Sequence, residues 1–111
     1  MHTIPSATDI KISDICGLCE VIRIREGNNK ASYPWLYGRF RFNFLEEMIF
    51  LCTKERQYAH GTWELTENTY KNKKRFSIIL NGTFEYRIVE IDEDEITLSD
   101  HRCEYLLVRK L

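Results

Sequence analysis

In residues 37–44 the side chains alternate: Phe40, Phe42 and Phe44 fall on one side, Arg39, Arg41 and Asn43 on the other. An extended chain points successive side chains to opposite faces, so this pattern predicts a strand with one buried face. The same period runs through residues 18–26, where Ile22 and Ile24 oppose Arg23 and Arg25, until Gly27-Asn28-Asn29 ends the run. In residues 58–66 Trp63 and Leu65 face away from Thr62, Glu64 and Thr66. Residues 48–54 are apolar at successive positions and suit helix or strand; their shortness and the Ile, Phe and Thr favour strand.

Asn81-Gly82 separates residues 75–80 from residues 83–91, both rich in β-branched and aromatic side chains. A two-residue hairpin turn needs positive φ at both central positions, which Asn and Gly supply at little cost. Polar stretches punctuate the rest: Leu45-Glu46-Glu47, a link running from Glu67-Asn68 to Lys71-Asn72-Lys73-Lys74, the acidic turn Asp92-Glu93-Asp94, and a turn at Asp100-His101 before a last strand over residues 103–110. Residues 1–14 read as a polar arm with one helical turn near residues 8–13, and residues 15–111 as one β domain of about eight strands.

Strands joined by short hairpins leave two bare edges unless the sheet closes, so the pattern predicts an antiparallel up-and-down barrel. Strands of about eight residues, rising about 3.3 Å each and tilted near 40°, give a barrel about 20 Å tall. Parity places Ile22, Ile24, Phe40, Phe42, Phe44, Trp63, Leu65, Phe76, Ile78, Phe84, Tyr86, Ile88, Tyr105 and Leu107 inside. Such an interior is either packed or holds one small ligand, and the composition fits both.

At 111 residues the chain makes one domain. Sixteen Lys and Arg against 17 Asp and Glu leave a net charge of −1, without a global field for a polyanion, so no nucleic-acid partner is expected. The first ten residues lack a signal-peptide pattern and no stretch reads as a membrane span, which points to a cytoplasmic protein, or a periplasmic or secreted one if a signal has been removed. Oligomeric state is not legible in this pattern.

From Gly17 onward the chain resembles the compact lipocalin-like, or calycin, domains common in Bacteroidetes bacteria. The pieces that carry the likeness are Gly17-Leu18-Cys19-Glu20-Val21, Gly61-Thr62-Trp63-Glu64-Leu65, Phe84-Glu85-Tyr86-Arg87-Ile88, Asp94-Glu95-Ile96-Thr97-Leu98 and Glu104-Tyr105-Leu106-Leu107-Val108-Arg109-Lys110. Calycins open the first strand with Gly-x-Trp, whose indole packs at the closed end against a basic residue late on the last strand. Here Gly17 is kept, Cys19 stands at the Trp position, Arg109 is the candidate basic partner and Trp63 the indole available to refill that end. The resemblance implies an up-and-down barrel and binding of a small hydrophobic molecule.

Other constellations have plainer readings. Cys16-Gly17-Leu18-Cys19 is half a zinc or redox motif without a second pair, and no metal or cofactor is expected. Cys19 and Cys103 lie early on the first and last strands, hence at opposite ends of antiparallel neighbours and too far apart for a disulfide. The arginines of Arg-Phe-Arg-Phe face away from the phenylalanines, which suits a solvated outer face better than a base-stacking platform. Consecutive Ser99, Asp100 and His101 cannot form a triad and read as a turn; a lone His60 as haem ligand, and the acidic hairpin tips, give way to structural readings.

The expectation is therefore a non-enzymatic module that binds a small hydrophobic or amphipathic molecule at the open end, with Phe42, Trp63, Phe84, Tyr86 and Tyr105 as cavity contacts. The alternative is a barrel with a packed core that engages a protein through its outer surface or a strand edge. An enzyme with a polar cluster in an apolar pocket ranks third.

Overall fold

The computed structural model describes residues 9–27, 30–36 and 38–110. Among the described residues there are nine strands: β1 Gly17–Glu26, β2 Ala31–Ser32, β3 Phe40–Phe44, β4 Ile49–Lys54, β5 Gln57–Tyr70, β6 Lys73–Leu80, β7 Phe84–Ile91, β8 Glu95–Ser99 and β9 Cys103–Lys110. Consecutive strands from β3 to β9 pair antiparallel, β1 pairs with β3, and β1 also pairs with β9 along most of its length. That last pairing closes an eight-stranded up-and-down barrel. The short β2 adds to β1 beyond the end of β3, with Ile24 opposite Ser32; neither it nor the 3₁₀ turn Pro34–Leu36 was legible in the pattern. The expected strand over residues 37–44 is β3, and its expected start at Tyr37 lies outside the described residues.

Two bulges correct the expected parity. Val21 pairs with Leu107 but Arg23 with Leu106, so Ile22 is an extra residue in β1. Cys19 and Val21 are fully buried before it and Ile24 packs on the core after it, while Ile22 is only half-buried. In β7 the extra residue is Val89, which lets Ile91 turn inward after Phe84, Tyr86 and Ile88. A bulge rotates every later side chain to the other face, and small barrels use this to bend and twist.

The polar link expected after Thr66 is strand instead. Residues β5 and β6 share a ladder out to Tyr70 opposite Lys73, turned by Lys71-Asn72, both at positive φ (49° and 63°). The Asn81-Gly82 turn does have both residues at positive φ (55° and 68°), but Leu80 pairs with Phe84, so the connection is three residues long.

One end of the barrel is closed. The arm is not wholly polar packing: a single turn α1, Ile12–Ile15, follows the buried Ile10 and delivers Ile15, 0 % exposed, to the core. The inward-facing Arg109 donates from its guanidinium to the carbonyl of Asp14 and, at 3.4 Å, to that of Asp92, tying the turn to the β7–β8 connection. Trp63, 2 % exposed, reaches the same end, where its indole N–H donates to the Leu45 carbonyl at 2.9 Å. Phe40, Phe42 and Phe44 form a ladder with ring centroids 5.2 and 5.6 Å apart, and Phe44 meets the Trp63 ring edge-on at 5.4 Å. Each such pair adds about 0.5–1.5 kcal/mol beyond burial.

Candidate functional site

The aromatic ladder leaves little room inside. The interior cavity measures about 40 Å³ and is walled by Phe40, Phe42, Phe44, Tyr86, Tyr105 and aliphatic neighbours. Pockets for ordinary small molecules run to about 300–1,000 Å³, so this space holds no more than a few waters.

A larger space lies above it. At the end opposite α1, a cleft of about 620 Å³ is lined by Glu26, Gly27, Phe84, Tyr86, Asp100, His101, Arg102, Cys103 and Tyr105. An adjoining hollow of about 550 Å³ shares Phe84, Tyr86, Asp100 and His101 and extends to Glu85, Arg87 and Ser99. Tyr86 and Tyr105 line both the cleft and the interior cavity, so this pair is the floor of one and the ceiling of the other. Their rings meet edge to face at 5.7 Å and 77°.

Strand register places each group. Ile78 pairs with Tyr86 and Leu80 with Phe84, which puts both aromatics on the inner face of β7. Leu80 is buried, but Phe84 stands at the rim and is 58 % exposed. Tyr105 shares the inner face of β9 with Leu107 and pairs with Leu98 and Ile24.

Asp100 anchors the β8–β9 turn. Its Oδ1 accepts the backbone N–H groups of Arg102 at 2.8 Å and Cys103 at 2.7 Å, and its Oδ2 accepts the Tyr105 hydroxyl at 2.8 Å. Partial burial opposes the charge on Asp100, but these three donors and the nearby His101 outweigh it and hold the carboxyl below its usual range. Burial, the bond to Asp100 and its charge push the Tyr105 phenol well above its usual value; burial, with Asp100 and Cys52 adding to it, raises Tyr86 as well. Both phenols are neutral at physiological pH.

Of the five residues expected at a cavity, the structure brings Phe84, Tyr86 and Tyr105 to the mouth and Phe42 to the interior wall. Trp63 is apart from them, packed at the closed end. The sequence pattern assigns Asp100 only to a turn, and the structure adds it to the mouth. Its signal was present: an Asp whose side chain can accept the N–H groups two and three residues on, with a tyrosine two residues into the following strand.

The remaining candidates fall elsewhere. His60 is exposed on the outer face of β5, where it cannot reach the interior. Cys103 pairs with Glu26, at the far end of β1 from Cys19, and the four cysteines are free thiols. Burial raises the pKa of Cys16, Cys19 and Cys52, which keeps them protonated. No group of three potential metal ligands occurs among the described residues, and no helix among them is long and apolar enough to cross a membrane. On the outer face Arg41 meets the buried carboxylate of Glu20 at 3.4 Å, as an ion pair without hydrogen-bond geometry, and Lys110 approaches it at 3.8 Å.

Comparison of the chain with protein-family models, with curated proteins and with solved structures finds no match.

Proposed function

We propose that this calycin-like barrel binds a small amphipathic molecule at its mouth, with the apolar part lying on Phe84, Tyr86 and Tyr105. The observation that carries the reading is the cleft of about 620 Å³ floored by the Tyr86–Tyr105 pair, with the Phe84 ring largely uncovered beside it. An aromatic side chain left mostly in water at the rim of a concavity is uncovered apolar surface that a ligand can bury. The seat is shallow. The Phe40–Phe44 ladder fills the space in which a deep calyx would hold a ligand, so occupancy below the tyrosines requires those side chains to move.

Native mass spectrometry of protein purified from its own source, followed by solvent extraction, tests this. The expected result is a mass increment above the bare chain that disappears on extraction and is lost in Phe84→Ser. A bare chain, with no small molecule shifting the resonances of Phe84, Tyr86 or Tyr105 in a fragment screen, would sink the proposal.

A second reading has its own support. The packed interior suits a barrel that engages a partner from outside, and β5 offers an edge. Its residues 57–62 pair only with β4 and its residues 63–70 only with β6, so each half has one side without a strand partner among the described residues. Ile49, Leu51 and the 83 % exposed Tyr58 lie on the adjoining outer surface. Replacing Leu51 and Tyr58 by Lys is expected to abolish association with a protein partner on this reading, and to leave small-molecule binding at the mouth unchanged on the first.

A further inference from the structure

We infer that the mouth selects molecules whose head group donates a hydrogen bond, an amine or an alcohol, over those ending in a carboxylate. This rests on the mouth-binding reading above. The argument starts from Asp100, whose two oxygens are both committed: Oδ1 to the backbone N–H groups of Arg102 and Cys103, Oδ2 to the Tyr105 hydroxyl at 2.8 Å. An ionised carboxylate only accepts. Tyr105 must therefore give its single proton to Asp100, and since both residues line the cleft, the phenol oxygen has only lone pairs left to offer a ligand there.

Whatever approaches that oxygen has to bring the proton. An ammonium or a hydroxyl does so. A carboxylate cannot, and reaching Tyr105 would also set its charge beside that of Asp100, a like-charge contact in a partly desolvated place. The Tyr86 hydroxyl has no partner among the described residues and can serve as donor or acceptor, so it does not restore at Tyr105 what a carboxylate lacks.

The other charges around the cleft do not reverse this. Glu26 and Glu85 are set against Arg87 and Arg102, all four exposed and screened by salt, with His101 beside Asp100. Their signs nearly cancel, which leaves discrimination to the direction of the hydrogen bond. The rim adds to it for a cation, because the exposed Phe84 ring attracts an ammonium group.

Three probes with one body separate the possibilities: 4-phenylbutylamine, 4-phenylbutan-1-ol and 4-phenylbutanoate, each titrated into the full chain while the resonances of Phe84, Tyr86, Asp100 and Tyr105 are followed. The amine and the alcohol are expected to bind at least tenfold more tightly than the butanoate. Asp100→Asn supplies the second arm. Asparagine keeps the turn through its Oδ1, but its Nδ2 donates to the Tyr105 oxygen and turns the phenol proton toward the cleft. The ranking should then shift at least tenfold toward the butanoate; if this variant does not fold, the wild-type ranking decides alone. Butanoate binding the wild-type chain as tightly as the amine and alcohol overturns the inference while mouth binding stands. If no probe moves the mouth resonances, the mouth-binding reading fails and takes the inference with it.

Discussion

Cys19 on β1 lies directly opposite Arg109 on β9, so a thiol with no exposed surface and a guanidinium share the inner face at the closed end. The guanidinium bonds outward from there to the carbonyls of Asp14 and Asp92, which belong to α1 and to the turn after β7. Hydrogen bonds from a charged donor contribute about 1.5–3 kcal/mol each, less where geometry is long. Arg109→Ala is expected to cost about 2–4 kcal/mol in urea denaturation. Arg109→Lys should recover only part, because one ammonium cannot span both carbonyls. Amide exchange should accelerate around residues 12–16 and 92–95; unchanged exchange there would show that the closed end does not depend on Arg109.

The Asp100–Tyr105 pair makes stability depend on pH at both extremes. Asp100 titrates below its unfolded value, so its contribution is present above about pH 4 and is lost as pH falls through the lower folded value. Tyr105 titrates above its unfolded value. The folded chain therefore holds a proton that the unfolded chain has released, and stability falls as pH rises beyond about 10, with Tyr86 acting in the same direction and the partly or fully buried thiols of Cys16, Cys19 and Cys52 adding a decline that begins at about pH 8.5. Denaturation midpoints across this range should show both declines, and Tyr105→Phe should flatten the alkaline one. An alkaline limb identical in wild type and variant would mean that the phenol is not held by Asp100.

Gly61 has no room for a side chain. A Cβ there would collide with the Asn81 amide oxygen, which accepts the Thr62 N–H at 3.1 Å, and would meet the Phe50 ring at 2.8 Å. Gly61→Ala is expected to destabilise by about 1–3 kcal/mol through overpacking. Asn81→Gly removes the colliding amide while tolerating the positive φ, so the double variant should be more stable than the sum of the two single changes predicts. Strict additivity in that cycle would rule out the contact.

The filled interior is itself testable. Phe42 touches Phe40, Phe44 and Phe50 with centroid distances of 5.2, 5.6 and 6.1 Å. Phe42→Ala is expected to cost about 3–5 kcal/mol and to leave an apolar cavity. Benzene should then stabilise the variant and not the wild type, as dry apolar cavities bind such solutes. Equal stabilisation of both would indicate an interior already open.

Much of the barrel could be read from alternation where a strand sets apolar against polar residues, as β3 does with Phe40, Phe42 and Phe44 against Arg41 and Asn43; in β6 and β9 the contrast is weaker, since Ile78-Ile79-Leu80 and Leu106-Leu107-Val108 are apolar in succession. The hairpin arm at residues 67–75 escaped this reading: it is exposed on both faces, so polar residues occupy both parities and resemble a loop. Ile10 and Ile15 escaped because Ile10, Ile12 and Ile15, spaced two and three apart in a polar stretch, fit no single period, and Ile12 is exposed. At the mouth, parity found Tyr86, Tyr105 and Phe84, whose sizes also fit a cavity wall. Trp63 lies at the closed end, where the calycin-like resemblance offered it as the refilling indole, and apart from the cavity contacts among which parity also set it, since inward parity does not say at which height along the barrel axis a side chain lies.

Local pattern determined that this chain forms antiparallel strands and which residues turn them, because two-residue periodicity and turn stereochemistry act between near neighbours. Register was decided by tertiary structure. A strictly two-residue Asn81-Gly82 loop would set Thr83, Glu85 and Arg87 on the face of Leu80; a third residue in the connection brings Phe84, Tyr86 and Ile88 there instead. The same is true of the bulges at Ile22 and Val89 and of the bond between Asp100 and Tyr105. Each shifts or joins groups by one residue or a few ångströms, and the packing of the closed barrel, to which all strands contribute at once, selects among arrangements that neighbouring residues leave nearly equal.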